Sequence, residues 1–413
     1  MNILVIAGCC LLNNSSANLC HMAYIDGMIQ LGNDVDLLTY SDSPEKRYSD
    51  SDFFSRLRNI YTYNGISLYE KLSARQKENQ VNVEKTTGKS DNTQNSISIK
   101  TRILNIGKKL FWSAYGIYNP SISWYWRAKK FKSDNEYDMV VSLSYPMTSH
   151  LVAKRLIEKK HIKTKHWIQI WEDPWTFDPA FHKSSSARVL KRSYKAEKKL
   201  LDACKDILYV SPITLKTHQD NFPDSKKYMR WLPLPSYYQD RSEKTKSKKQ
   251  GFNYGYFGDY PPCYRDLTPF YNVAVKKNLY FDICGSPYGL LESNNNITVN
   301  PRLPLEELKS HEAKTDVLVC LMNKGGGQIP GKIYQYAATN KYVIVILDGT
   351  DEEKLILKDF FSQYNRFIFC ENTEESIEKT VDLFERGDFS GINNLPLDAF
   401  SPAKIAEKLL EVE

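Results

Sequence analysis

The chain has 413 residues, 41% of them hydrophobic and 25% charged, with a formal net charge of +7. That length exceeds one ordinary core and predicts two domains of a folded globular protein. The moderate positive charge suits anionic partners, but no zinc-finger spacing or aromatic RNA-binding signature points to nucleic acid, and eight cysteines without a C-x-x-C pair fit a reducing cytoplasm rather than a disulfide scaffold or structural zinc.

The opening run MNILVIAGCCLL has no basic flank and is far shorter than the roughly 20 residues that span a bilayer, so it reads as a buried first strand, 2–7. Gly8 permits a turn, the polar loop 13–18 leads into an amphipathic stretch at 19–31, and 33–40 is a second strand. Residues 70–100 are almost wholly polar and read as a surface excursion. The alternation resumes with a strand at 137–144, a helix at 148–159, a strand at 165–175 that ends in an acidic turn at Pro174, a helix at 186–204 and a strand at 206–211. Residues 239–251, QDRSEKTKSKKQG, lack any large apolar side chain and read as a linker. The rhythm then repeats: strands at 252–258, 279–285, 296–303, 315–323, 342–347 and 366–370, with helices near 266–277, 304–312 and 330. Strand–helix alternation on both sides of one linker predicts two tandem Rossmann-like parallel-sheet domains, with ligands bound beyond the carboxyl ends of the strands. Two D-x-D strings, Asp34-Val-Asp36 and Asp50-Ser-Asp52, lie in an early strand and a polar stretch, where neither reads as a metal site.

The segment GGGQIPGKIYQYAATNKYVIVI at 325–346 carries the chemistry. From Gly326 it is one hydroxyl short of G-x-x-x-x-G-K-[ST], because Ile333 stands where Mg²⁺ would need Ser or Thr, and only residues 333–413 remain to build the core of a P-loop ATPase. A different anion site fits better. A strand ends at Asn323, glycines that include Gly326 and Gly327 let the backbone approach a ligand, and a helix starting near Pro330 offers unpaired amides to a diphosphate. Lys332, Gln335 and Tyr336 share one face of that helix.

These residues resemble the P-S-K-x-x-E-Y segment of family 4-type GT-B glycosyltransferases. YFGDYPPCYRDLTPFYNVA at 256–274 resembles the start of their donor domain, and KHWIQIWEDPW at 165–175 a strand end of their acceptor domain. The resemblance implies an acceptor domain at 1–238, a nucleotide-sugar domain at 252–395 and a C-terminal helix within 396–413 crossing back to the first domain. It implies that Lys332 and Arg265 contact the donor diphosphate, that Gly258 permits close approach, and that Gln335 reaches the ribose. The family's E-x7-E acids would fall at Gly327 and Gln335, so both are absent. In the first domain Asp173 could act as a base in an inverting enzyme or cap a turn before Pro174, with Glu172 as its neighbour; His150 could sit near the donor sugar or in the core.

The expected activity is transfer of a sugar from a nucleotide-diphosphate donor, a UDP-sugar foremost, to a hydroxyl of a glycan or lipid-linked glycan, with no metal and no further cofactor. Rival readings are a silent glycosyltransferase-like module and a sugar-nucleotide epimerase. Aromatics mixed with cations at 105–132, including Phe111, Trp112, Trp124 and Trp126, and the stripe Arg188, Lys191, Arg192, Lys195, Lys198 and Lys199 predict peripheral contact with an anionic membrane from the cytoplasmic side.

Overall fold

The computed structural model describes residues 1–13, 15–41, 48, 51–66, 115–118, 121–237, 251–325, 327–388 and 391–411. The expectations for 70–100, Phe111, Trp112, Gly326 and all of the 239–251 segment except Gly251 lie outside the described residues.

Strand β1 (Asn2–Ala7) is buried from Ile3 onward on both faces, as its unbroken apolar run demands. Helix α1 (Ser16–Gln30) starts where the Ser15 side chain accepts a hydrogen bond from the Asn18 amide. There follow β2 (Asp34–Tyr40), β3 (Asn59–Tyr63), α2 (Ile122–Ala128), β4 (Glu136–Leu143), α3 (Thr148–Glu158), β5 (Lys163–Trp171), α4 (Pro179–Ser184), α5 (Ala187–Leu201), β6 (Ile207–Tyr209), α6 (Pro212–Asn221) and β7 (Met229–Trp231). They form a sheet of order β3-β2-β1-β4-β5-β6-β7. Val5 stands between Leu37 and Val141 in parallel register.

The second sheet is built from β8 (Asn253–Phe257), α7 (Thr268–Lys276), β9 (Tyr280–Cys284), β10 (Ile297–Asn300), α8 (Leu305–Ala313), β11 (Val317–Leu321), α9 (Lys332–Ala337), β12 (Tyr342–Leu347), α10 (Asp351–Ser362), β13 (Ile368–Glu371) and α11 (Glu374–Glu385), with α12 (Pro402–Leu410) closing the chain's helices. Its order is β10-β9-β8-β11-β12-β13, and every pairing is parallel. Both sheets are Rossmann-like. Helix α10 is opened by a capping box between Thr350 and Glu353, a signal present in the sequence.

The chain divides into two compact units. Met1–Asn13, Gly32–Trp171 and Phe181–Ile207 form the first, and Asn14–Leu31, Glu172–Ala180 and Leu208–Glu413 the second. In the first, Asp36 is fully buried yet satisfied. Burial alone would raise its pKa, but hydrogen bonds from Arg58, Tyr137 and Asn59 outweigh it and hold the carboxyl below its usual range. A carboxylate so occupied has no lone pairs left for a metal, which accounts for that D-x-D string.

Trp124 is also fully buried, its indole N–H donating to the Thr39 carbonyl at 3.2 Å. It belongs to the core and so leaves the group of aromatics expected at a membrane surface. Along α5, Arg188, Lys191, Lys195 and Lys199 remain exposed. No helix among the described residues is long and apolar enough to cross a membrane.

In the second unit, Tyr254, Phe270, Phe281, Ile283, Val319 and Phe384 form the centre of one apolar cluster. Helix α1 joins this unit through α12, and the two approach so closely that a Cβ at Gly27 would lie 2.0 Å from the Pro402 carbonyl oxygen. Gly27→Ala must push the helices apart, a disruption expected to cost about 3 kcal/mol. Gly32→Ala, at φ +76 with nothing within 4 Å, should lose only about 1 kcal/mol from left-handed strain. Urea unfolding of the two variants checks this ranking; equal losses would contradict it.

Candidate functional site

Strand β8 ends at Phe257 and β9 at Cys284, and the turns after them bring Gly258 and Gly285 face to face. The Gly258 amide donates to the Cys284 carbonyl at 3.0 Å. A Cβ at Gly285 would lie 1.9 Å from the Gly258 carbonyl oxygen, so no larger residue fits there. This crossing forms part of the wall of a cavity in the second unit, which encloses about 950 Å³ of atom-free space including its open mouth.

Four other elements line the cavity, among them α8 through Leu308. Helix α1 contributes Ser15, Ser16 and Leu19, the loop after β10 contributes Arg302 and Leu303, and α9 contributes Lys332 and Gln335, preceded by Gly331. A Cβ at Gly331 would stand 3.6 Å from the Ser16 hydroxyl, so the start of α1 and the start of α9 meet here.

The cationic group is Lys332. Its ammonium lies 3.0 Å from a carboxylate oxygen of Glu312 in α8, with Lys332 one-third exposed and Glu312 buried. The pair fixes a positive charge at the cavity wall. Gln335 is held differently: its Oε1 accepts from the Tyr237 backbone amide at 2.8 Å. An N–H can only donate, so the atom it meets is the carbonyl oxygen, and the NH₂ end is left as the donor toward a ligand.

The helix near 330 differs from expectation. It has six residues, and its early amides are already used: Ile333 N bonds to the Pro330 carbonyl, and Tyr334 N and Gln335 N to that of Gly331. The longer helix start at this cavity is that of the 15-residue α1, whose Asn18 and Leu19 amides bond to Ser15 and whose partial positive charge lies at its first turn. No local pattern could have revealed it, because α1 arrives through tertiary packing.

The remaining candidates fall into separate places. Gly258, Lys332 and Gln335 line the cavity together; Arg265, Asn323, Gly327 and Tyr336 are not among its lining residues. Arg265 Nε donates to Asn323 Oδ1 at 2.7 Å, Asn323 Nδ2 to the Gln328 carbonyl at 3.3 Å, and Gln328 Nε2 to Asp173 Oδ1 at 2.7 Å. Three expected site residues are thus strung on one polar chain through Gln328, whose place no local sequence pattern marks. Tyr336 is buried, and its carbonyl accepts from the buried Arg366.

Gly327 has φ +70, and its carbonyl accepts from the Ser211 and Thr214 hydroxyls at the start of α6. A Cβ there would meet Ile213 at 2.7 Å. The first acid of an E-x7-E pair therefore has no room in this arrangement. His150 belongs to the first unit's core, fully buried, with Nδ1 2.8 Å from the Ser142 hydroxyl and its ring 4.5 Å from that of Trp171.

No protein-family model and no curated protein matches the chain. Solved structures do. The crystal structure of Anabaena HepE in complex with UDP and glucose superposes with a TM-score of 0.54 at 9% identity, covering 99% of this chain and 98% of that chain. The apo form of the lipopolysaccharide outer core galactosyltransferase WaaB gives 0.51 at 8% identity, over 99% and 98% of the two chains. The fold is GT-B. At these identities the likeness establishes GT-B architecture, and the site's chemistry rests on the residues above.

Burial first, then the neighbouring Glu172 and Asp178 carboxylates, push the Asp173 pKa up to about 6, against the lowering effect of the Gln328 hydrogen bond. An acid whose folded pKa exceeds its unfolded value near 3.9 binds protons more tightly when folded, so stability falls as pH rises from about 4 to 6. Asp173→Asn keeps an acceptor for Gln328 and removes that loss. Relative to wild type, it should gain up to about 3 kcal/mol between pH 4 and pH 7. Thermal melts at the two pH values check this; a difference that does not change with pH would show that Asp173 keeps an ordinary pKa.

Proposed function

We propose that the protein is a glycosyltransferase that uses a nucleotide-diphosphate sugar, a UDP-sugar foremost, and delivers the sugar to a hydroxyl of a glycan or lipid-linked glycan. The observation that carries this reading is the Lys332 ammonium, preset by Glu312 on a cavity wall shared with the start of α1, in a chain of GT-B fold. Transfer breaks the bond between the anomeric carbon and the diphosphate oxygen, which leaves with the electron pair. The acceptor oxygen forms the new bond, and its proton is released. Negative charge grows on the diphosphate as that bond breaks, and a fixed cation with helix-start amides stabilises it without reorganising. The ammonium then takes the part a divalent ion plays elsewhere, so added Mg²⁺ or Mn²⁺ should leave turnover unchanged. The resemblance to family 4-type enzymes supports the same assignment of Lys332, and the NH₂ group of Gln335 serves the ribose hydroxyls.

The missing acidic pair favours one other reading, a donor-binding module that does not turn over. Slow hydrolysis of the bound donor separates the enzyme from the module. Contact with an anionic membrane through Arg188, Lys191, Lys195 and Lys199 would bring a lipid-linked acceptor close. Flotation with anionic vesicles at low salt tests it, and failure to float would end this part of the proposal.

Thermal-shift titration against UDP-, GDP- and CMP-sugars should single out one donor, worth about 2.7 kcal/mol at a hundredfold excess over Kd. Lys332→Ala should weaken that donor by about 10- to 100-fold, the worth of a charge-assisted hydrogen bond. Because the substitution also strands the buried Glu312 carboxylate, the quantity to compare is the donor-induced shift, not the melting point alone. Gln335→Ala, which leaves that ion pair intact, should also weaken the donor. Shifts unchanged in both variants would overturn the assignment.

A further inference from the structure

We propose that Asp282, Cys284 and His311 form a zinc site that clips helix α8 to strand β9. Asp282 and Cys284 are two residues apart on β9 and so share one face of the sheet, and His311 in the last turn of α8 reaches that face. Their donor atoms lie within 4.8 Å of one another. One Asp282 oxygen pairs with His311 Nδ1, and the other lies 3.8 Å from Cys284 Sγ.

A thiolate, an imidazole and a carboxylate suit zinc, whereas Mg²⁺ and Ca²⁺ take all-oxygen shells. Zn–S and Zn–N bonds near 2.3 and 2.05 Å place tetrahedral ligands about 3.5 Å apart, so binding needs side-chain shifts of about 1 Å. A water completes the shell. Cys284 ligates as the thiolate, with its proton released to solvent.

Two further observations favour an ion over a simple surface pair. Asn300, the register partner of Cys284 on β10, directs Nδ2 at both Asp282 Oδ1 (3.3 Å) and Cys284 Sγ (3.7 Å), the donor a thiolate and carboxylate would need behind them. Asp282 and His311 are each about one-quarter exposed, which leaves a path in from solvent, while Cys284 is buried.

The site also bears on the cavity. Cys284 lines it, and Glu312, the residue after His311, holds the Lys332 ammonium. An ion that fixes His311 therefore fixes the carboxylate that places the cation.

The test uses the full chain, freed of metal and titrated with ZnCl₂ and separately with CoCl₂. The expected result is one equivalent bound, with a thiolate-to-cobalt absorption band, and a melting temperature raised by zinc. Cys284→Ser should abolish the band, and Cys284→Ser and His311→Ala should each weaken binding by at least 100-fold. Asn300→Ala should weaken it by about 10-fold. Cys263→Ser, at an exposed cysteine outside the cluster, should leave binding unchanged. Melting curves of the metal-free variants confirm that they fold. Absence of stoichiometric binding, or binding indifferent to Cys284→Ser, would overturn the site.

Discussion

Everything at the cavity depends on the contact between α1 and α12. The two helices lie so close at Gly27 and Pro402 that no side chain fits between them. That contact seats α1 in the second unit and sets Ser15 and Ser16 on the cavity wall next to Gly331. A helix start supplies partial positive charge only within its first turn, so a small displacement of α1 would take its effect away. The packing is apolar, since Ala23, Ile405, Ala406 and Leu409 are fully buried, yet its consequence is electrostatic.

Elsewhere on the wall, backbone rather than side chain sets the shape. The Gly258–Gly285 crossing lets two strand ends pass within contact distance, and it opens space that a Cβ would fill. The candidate side chains then reach that space from short, well-anchored elements. Glu312 restrains Lys332, and the Tyr237 amide restrains Gln335. Behind them the Arg366 guanidinium, itself buried, donates to the Tyr336 and Thr339 carbonyls at the end of α9, tying down the far side of the helix that carries both residues.

The sheets were legible because a strand covered on both faces must be apolar throughout. NILVIA, YVIVIL and VLVCL declare themselves that way, and the helices between them follow from their caps. Lys332 and Gln335 were legible together because residues three apart share a helix face, and Gly258 joined them through the resemblance carried by 256–274. What stayed hidden was every partner set by the fold. Nothing near position 332 in the sequence points to Glu312, and nothing near 335 to Tyr237. Gly327 looked like a ligand-facing glycine, but its positive φ tucks the loop under Ser211 and Thr214. Trp124 looked like an interfacial aromatic because its partner, the Thr39 carbonyl, lies 85 residues away. The metal-ligating cluster was equally invisible to spacing rules, since its cysteine and histidine are 27 positions apart and come from different elements.

The Lys332–Glu312 pair has a consequence for how a ligand would be received. A bare lysine on a cavity wall samples many rotamers and must be immobilised by whatever binds. Here a buried carboxylate has already done so, and the incoming anion meets a charge that stands still. The same carboxylate competes for that charge, so a resting ligand gains modestly from it. A group that became more negative as it departed would gain more, so under the proposed reading the arrangement would reward departure over residence.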